Sequence, residues 1–115
     1  MTQTLTSSDQ ERAVAFYDKT NLSKMRDLAS LAPEAMNAFV AFDRAALADG
    51  AIPRKYKELI ALGVAFTTQC PYCIEIHTNS ARNLGASEPE LAETVLVAAA
   101  LRAGGAVTHG THALK

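Results

Sequence analysis

Cys70, Cys73 and His77 are the residues whose types and spacing could do chemistry. They stand in the segment Cys-Pro-Tyr-Cys-Ile-Glu-Ile-His, which contains the only two cysteines of the chain. A proline follows the first cysteine and no glycine occurs before Gly85, a pattern typical of a helix that begins at this turn. On such a helix the two thiols and the imidazole share one face. Because two cysteines at this spacing can close a small disulfide, the segment predicts a redox-active dithiol.

Either thiol could be the reactive one. A thiol at a helix N-terminus lies against unpaired backbone N–H groups and the positive end of the helix dipole, which should lower the pKa of Cys70. His77 stands four residues after Cys73, a spacing at which an imidazole can take the thiol proton. The helix N-terminus therefore favours Cys70 as the reactive thiol, and the spacing of His77 favours Cys73. We favour Cys73 as the activated attacker and Cys70 as the more accessible partner for exchange.

Glu58 is the candidate carboxylate for proton transfer. It borders the run 59–66, which has no polar side chain and belongs to a helix predicted from Pro53 onward. So apolar a helix should be buried nearly all round, and a carboxylate at its border should lose part of its hydration. Such a carboxylate suits proton transfer. The spacing does not decide whether Glu58 faces His77, and a surface ion pair with Arg54 is the alternative.

A zinc site is the rival use of the same ligands. Structural zinc takes four ligands, and Cys70, Cys73 and His77 could be completed by His109 or His112. General-base chemistry explains the offset of His77 from the cysteines better than metal binding does. We therefore predict no metal ligands, and we expect His109 and His112 to be hydrogen-bonded or solvent-facing.

The joint pattern of Glu58, Cys70 twelve residues later, and Cys-x-x-Cys-x-x-x-His resembles a known signature. It is similar to that of the AhpD-like (alkyl hydroperoxidase D) branch of the carboxymuconolactone decarboxylase superfamily, closely over residues 53–86 and more loosely to the end of the chain. The resemblance implies that Cys70 and Cys73 form the redox pair, and that Glu58 and His77 belong to a proton relay that activates a thiolate.

The resemblance also implies an activity. It indicates a thiol-dependent peroxidase of the alkyl hydroperoxide reductase type, whose substrate is a hydroperoxide. No cofactor is expected beyond the Cys70–Cys73 disulfide, and an external dithiol reductant, of protein or lipoyl type, restores the thiols. The best-known members carry a second histidine where this chain has Tyr72, which bears on peroxidase efficiency rather than on the redox role. The decarboxylase branch works without the cysteine pair, so lactone decarboxylation is disfavoured.

Two other classes of function stay open. A disulfide oxidoreductase or electron-relay protein would use the same dithiol without peroxide. A non-catalytic or metal-binding member of the superfamily would catalyse neither peroxide reduction nor disulfide exchange.

The length, composition and net charge of the chain limit what else can be expected of it. A chain of 115 residues predicts one domain, residues 1–115, and a composition 49% hydrophobic but only 20% charged leaves apolar surface for association between subunits. The resemblance implies a homo-oligomer, either a trimer or a hexamer. A net charge of −1 gives no electrostatic signal for nucleic acid or for an anionic membrane. Residues 1–10 lack a basic and apolar targeting pattern, so we expect a cytoplasmic protein with reduced thiols.

The predicted fold class is all-α, an AhpD-like helical domain of about six helices with the Cys-x-x-Cys segment at the N-terminus of a central helix. Cap residues and apolar periodicity predict helices over 10–19, 23–31, 33–48, 53–66, 71–84 and 88–103. Gly104 and Gly105 should break or kink the last of these, before a short helix that reaches toward Leu114. Because Glu93, Arg102 and the glycine pair interrupt it, the apolar stretch 91–107 is predicted to be a core helix and not a membrane span.

Overall fold

The structure is a computed structural model that describes residues 17–115. Within these residues the secondary structure is helical and contains no strand, which confirms the all-α prediction. The α-helices are α1 (Met25–Leu31), α2 (Pro33–Leu47), α3 (Arg54–Thr68), α4 (Pro71–Asn83) and α5 (Glu88–Gly110). Short 3-10 helices cover Lys19–Lys24 and Thr111–Ala113. Five α-helices in the described part are slightly fewer than the six expected.

The helix predicted over 10–19 falls largely outside the described residues, and its described end is not α-helical. Tyr17 and Asp18 are outside any helix, and Asp18 instead caps the first 3-10 helix, where its carboxylate accepts the backbone N–H of Thr20 at 3.0 Å. Aspartate favours this N-cap role over a helix interior because its short side chain competes for backbone hydrogen bonds. The predicted end of that helix was therefore wrong.

Contacts divide the chain into two compact units, one up to Phe39 and one from Val40 onward, and α2 contributes to both. The second unit contains the chemistry, and α3 is its central helix because it packs against both α4 and α5. Leu62, Ala81 and Leu91, one from each of these helices, form the buried core. Partly buried apolar side chains pack around them: Leu59, Phe66, Ile74 and Ala86. This core fixes the helix that begins with the cysteines against the helix that contains Glu58.

A tight link joins α3 to α4. Only Gln69 and Cys70 separate the two helices, and Gln69 adopts the left-handed conformation with a φ of 57°. The backbone N–H of Cys70 donates to the carbonyl of Ala65 at 3.2 Å, which closes the end of α3. A residue with a side chain pays about 1–2 kcal/mol for this conformation. The link reverses the chain at once, so that α4 packs back on α3.

The sequence signal for the start of α5 was correct. Ser87 caps α5, where its hydroxyl accepts the backbone N–H of Glu90 at 3.2 Å while the Glu90 carboxylate accepts the backbone N–H of Ser87 at 2.9 Å. Gly85 before it has a φ of 91°, the conformation that favours glycine at a helix end. The capping box predicted from Ser-Glu-Pro-Glu is therefore confirmed.

Replacing Ser87 with alanine is expected to lower the free energy of unfolding by about 1 kcal/mol, because it removes the side-chain acceptor for one of the first N–H groups of α5. Urea denaturation followed by circular dichroism measures the change. Ser80→Ala, inside α4, is the matched control and should cost less. Equal losses in the two variants would contradict the role given to the cap.

The predicted break at Gly104 and Gly105 was wrong, since α5 continues through both residues to Gly110. Glycine weakens a helix interior by about 1 kcal/mol but does not remove its hydrogen bonds. The prediction of a core helix holds for one face of its first half only: within α5 Leu91 and Ala98 are buried, and residues 99–110 are exposed. By length and composition alone, the helical segment Glu88–Ala113 could cross a membrane, because it contains a window of 18 residues with a mean hydropathy of 1.4.

Candidate active site

Glu58 and His77 are brought into direct contact by the packing of α4 on α3. The Glu58 Oε2 and His77 Nδ1 atoms lie 2.5 Å apart, a short and charge-assisted hydrogen bond. The Glu58 side chain is only 2% exposed and that of His77 is 19% exposed. The sequence left this contact undecided, because nineteen residues separate the two side chains and only the turn at Gln69 aligns them.

The contact fixes how the imidazole can act. A carboxylate only accepts hydrogen bonds when ionised, so the Nδ1 of His77 carries the proton that lies between the two groups. The other ring nitrogen, Nε2, is then the atom that can exchange a proton with a substrate. Glu58 therefore orients the ring and stabilises its positive charge when Nε2 is protonated.

The alternative ion pair of Glu58 with Arg54 also forms. The Nε of Arg54 lies 3.8 Å from the other carboxylate oxygen, Oε1, and the arginine side chain is half exposed. The two interactions use different oxygens, so the surface pair and the buried histidine contact coexist. The predicted burial of Glu58 at the border of the apolar run is what the structure has.

Cys70 occupies the N-cap of α4, with Pro71 as the first helical residue. Its Sγ accepts the backbone N–H of Cys73 at 3.3 Å, in the position that a serine or aspartate oxygen takes in an ordinary N-cap. Both cysteines are free and partly buried. The predicted start of the helix at the Cys-Pro-Tyr-Cys turn is confirmed.

The two thiols are electrostatically unequal. A hydrogen bond from the Cys73 thiol, together with the backbone N–H groups of Cys73 and Tyr72, lowers the pKa of Cys70 below its ordinary value. The same thiol–thiol hydrogen bond, burial, and the nearby charges of Cys70 and Asp43 raise the pKa of Cys73 to about 11. The arrangement therefore favours a Cys70 thiolate that is held by a protonated Cys73.

This order of acidity is opposite to the one expected for Cys73 as the activated attacker. Within the described residues His77 makes no hydrogen bond to either thiol, and its bonded partner is Glu58. The i, i+4 spacing placed the imidazole on the correct face, but hydrogen bonds at the helix start favour Cys70. The position of Cys70 at the helix N-terminus correctly indicated the more acidic thiol, although the largest cause of its lowered pKa is the hydrogen bond from the Cys73 thiol.

The remaining histidines are not part of this arrangement. His109 and His112 contact each other near the chain end, with ring centroids 5.8 Å apart, and both are exposed. Across residues 17–115 no group of three or more His, Cys, Asp or Glu side chains is placed to hold a metal ion. The zinc set of the two cysteines, His77 and a C-terminal histidine is therefore not assembled within the chain.

Two contributors to the site were missed from the sequence. Asp43 adds a negative charge that raises the pKa of Cys73, yet it lies in α2, thirty residues away, and no motif marks it. Gln69 provides the left-handed turn that places Cys70 at the N-cap. Glycine is the usual signal for such a turn, and its absence concealed the position.

An all-α fold with a dithiol at a helix N-terminus and a buried carboxylate–imidazole pair defines the class of this protein. The chain belongs to the carboxymuconolactone decarboxylase family, whose family model matches residues 33–115. This superfamily includes the AhpD-like branch that the motif resembles. The matched range contains the whole candidate site.

Two bacterial proteins are similar to this chain in sequence. A Paracoccus denitrificans protein, called uncharacterized protein 4 in the cox locus, is 46% identical over 78 residues, or 68% of this chain and 70% of that protein. An uncharacterized protein from Cupriavidus necator is 34% identical over 82 residues, covering 71% and 73% of the two chains.

Two crystal structures share the fold. A carboxymuconolactone decarboxylase family protein from Legionella pneumophila, in its apo form, matches with a TM-score of 0.68 and 36% identity over 72% of this chain and 74% of that one. A protein from Methanobacterium thermoautotrophicum matches with a TM-score of 0.72 and 30% identity over 76% of this chain and 99% of its own.

Proposed function

We propose that this protein is a thiol-dependent peroxidase that reduces alkyl hydroperoxides by a Cys70–Cys73 dithiol and disulfide cycle. The single observation that carries the proposal is the buried contact between Glu58 and His77, at 2.5 Å, in which His77 belongs to the helix that begins at the Cys70 thiol of lowered pKa. Reduction of a hydroperoxide needs both parts. A thiolate must attack, and the alcohol that leaves must receive a proton.

The reaction balances with the residues at hand. The Cys70 thiolate attacks the distal oxygen of the hydroperoxide, the O–O bond breaks, and the sulfur becomes a sulfenic acid. The departing alkoxide takes a proton from Nε2 of His77, whose charged ring Glu58 stabilises, and leaves as the alcohol. The Cys73 thiol then attacks the sulfenic sulfur, which releases water and forms the Cys70–Cys73 disulfide.

The cycle requires a partner. The disulfide must receive two electrons and two protons from an external dithiol, of protein or lipoyl type, which becomes a disulfide in exchange. Cys70 at the start of α4 is the sulfur that such a dithiol would release as a stable thiolate, because its pKa is lowered. The proposal uses no metal and no other cofactor, and it places the protein among reduced thiols in the cytoplasm.

A disulfide oxidoreductase without peroxidase activity is the second candidate. The observation that favours it is the Cys70 sulfur itself, a partly exposed N-cap of lowered pKa with a protonated resolving thiol beside it. Thiol–disulfide exchange needs this arrangement but no proton for an alkoxide. The Glu58–His77 pair would then have no task in the reaction, which is why we rank this function second.

Oxidation of the fully reduced protein by one equivalent of an organic hydroperoxide tests the proposal. In a stopped-flow experiment we expect both free thiols to disappear within seconds. Intact mass after alkylation should show a single intramolecular disulfide. Analysis of the solution should find one alcohol released per chain. Protein whose thiols have been alkylated beforehand is the control, and it should leave the hydroperoxide unchanged.

Thiols that survive for minutes would overturn the peroxidase assignment. The same reduced sample, mixed with a protein disulfide, then decides for the second candidate if exchange is fast. Slow reactions with both oxidants would leave a non-catalytic member of the family.

A further inference from the structure

The first turn of α3 contains three basic side chains, and one of them pairs with the Glu58 carboxylate. Lys55 lies 3.0 Å from a carboxylate oxygen of Glu90 in α5, and Lys57 donates to a backbone carbonyl before the helix at 2.6 Å. Arg54 instead places its Nε 3.8 Å from Oε1 of Glu58. Among the described residues, Arg54 is therefore the permanent positive charge paired with this carboxylate, and His77 of α4 is its other partner.

The Glu58 carboxylate needs such a charge because its side chain is only 2% exposed. An ionised carboxylate that is removed from water is destabilised unless charged or hydrogen-bonded groups compensate it. Its Oε2 has the hydrogen bond with Nδ1 of His77, but an imidazole is charged only while both of its nitrogens are protonated. The arginine beside Oε1 is charged at every stage of a proton transfer.

The proton between Glu58 and His77 can be placed in two ways when the pair holds two protons. In the ion pair the carboxylate is ionised and both ring nitrogens are protonated. In the neutral pair the shared proton is bonded to Oε2, Nδ1 accepts its hydrogen bond, and only Nε2 of the ring is protonated. An imidazolium releases a proton far more readily than a neutral imidazole does. The position of this one proton therefore decides how readily Nε2 protonates a departing alkoxide.

We propose that Arg54 is a positioning residue of the proton relay, whose charge keeps Glu58 ionised and so keeps the shared proton on Nδ1 of His77. The effect of Arg54 on the peroxide reaction rests on the proposed function, whereas the ion pair is a property of the resting protein. The backbone N–H of Arg54 donates to Oδ1 of Asp49 at 2.6 Å, which fixes the start of α3 independently of the guanidinium. Replacing the side chain should therefore remove the charge without unwinding the helix.

Nitrogen NMR of ring-labelled histidine tests the proposal in the full chain, with the His77 signals assigned by their loss in His77→Ala. In the wild type we expect the charged ring to have both nitrogens protonated and the neutral ring to keep its proton on Nδ1. Arg54→Met should instead show a form with Nε2 protonated and Nδ1 bare. Arg54→Lys keeps a charge and should restore the wild-type spectrum. Arg44→Met is the matched control, because Arg44 lines the same open pocket as Arg54.

The rate of reaction with an organic hydroperoxide gives the second readout. Arg54→Met should react about 10-fold more slowly, a modest factor because water screens a half-exposed guanidinium. Arg54→Lys should recover most of the rate, Arg44→Met should keep it, and exchange with a small disulfide should be unchanged in all three variants.

Two results would overturn the role of Arg54: a protonated Nδ1 in every form of Arg54→Met, or a slower peroxide reaction with an unchanged ring spectrum. Equal slowing in Arg44→Met would also contradict it, since the charge of the pocket would then act on an anionic substrate. Failure of the proposed function looks different. The wild type would not react with hydroperoxide, yet the altered spectrum of Arg54→Met would still establish that Arg54 controls the shared proton.

Discussion

Replacing Cys70 with serine should slow peroxide oxidation on the order of 10²-fold, whereas replacing Cys73 with serine should leave the first step fast and trap a sulfenic acid on Cys70. The difference follows from the unequal pKa values of the two thiols. At a pKa of about 11, Cys73 is a thiolate in only about one molecule in 10⁴ at pH 7. Even if the loss of Cys70 returned it to the ordinary value of 9.0, that fraction would be about one in 10².

The pH dependence gives this prediction a second readout. The rate of the first step follows the thiolate fraction, which grows as the pH rises through the pKa of Cys70, so a lowered pKa moves the rise to lower pH. The main cause of that lowering is the hydrogen bond from the Cys73 thiol. Cys73→Ser retains a hydroxyl donor and Cys73→Ala does not. The alanine variant should therefore need a higher pH than the serine variant to reach the same rate.

Stopped-flow rates between pH 5 and 10, with dimedone trapping of the sulfenic acid, measure both effects. The opposite pattern, with a fast Cys70→Ser variant and a slow Cys73→Ser variant, would make Cys73 the attacking thiol. It would mean that His77 controls the chemistry more strongly than the start of α4 does.

The sequence was sufficient where the signal is local. The start of α4 at Pro71 and the Ser87 capping box rest on residues within one helical turn, and both are found as predicted. Gly85 likewise marks the end of the preceding helix through a backbone conformation that other residues avoid. Signals of this kind depend on backbone hydrogen bonds between near neighbours, which the sequence specifies directly.

What the sequence could not supply depends on tertiary packing. Glu58 meets His77 only because Gln69 adopts a conformation that its residue type does not announce. The order of acidity of the thiols depends on one hydrogen bond between side chains that spacing allows but does not select. The apolar α5 was predicted to be a core helix, but an apolar composition does not tell which residues are buried, and within this helix only Leu91 and Ala98 are.

Replacing His77 with alanine should slow reaction with an organic hydroperoxide by about 10²- to 10⁴-fold, the usual contribution of a positioned acid or base. Reaction with a small disulfide should change little, since exchange at the Cys70 sulfur releases a thiolate that needs no proton from Nε2. His109→Ala, an exposed histidine outside the site, is the matched control and should alter neither rate. Equal slowing of both reactions would instead make His77 the base that forms the thiolate, and an unchanged peroxide rate would remove it from the mechanism.

Glu58 should act through the same ring, so its variants extend the test. Glu58→Gln keeps the shape of the side chain but cannot stabilise a charged imidazole, and we expect most of the peroxide defect of His77→Ala. Combining the two substitutions should add little, because residues that act as a unit are not additive. Glu58→Ala should also lower the free energy of unfolding by about 3–5 kcal/mol, because it breaks a buried pair at a side chain that is only 2% exposed. If Glu58→Gln remained folded and kept the full rate of reaction with peroxide, the buried contact between Glu58 and His77 would serve stability alone. That contact would then no longer support the peroxidase proposal.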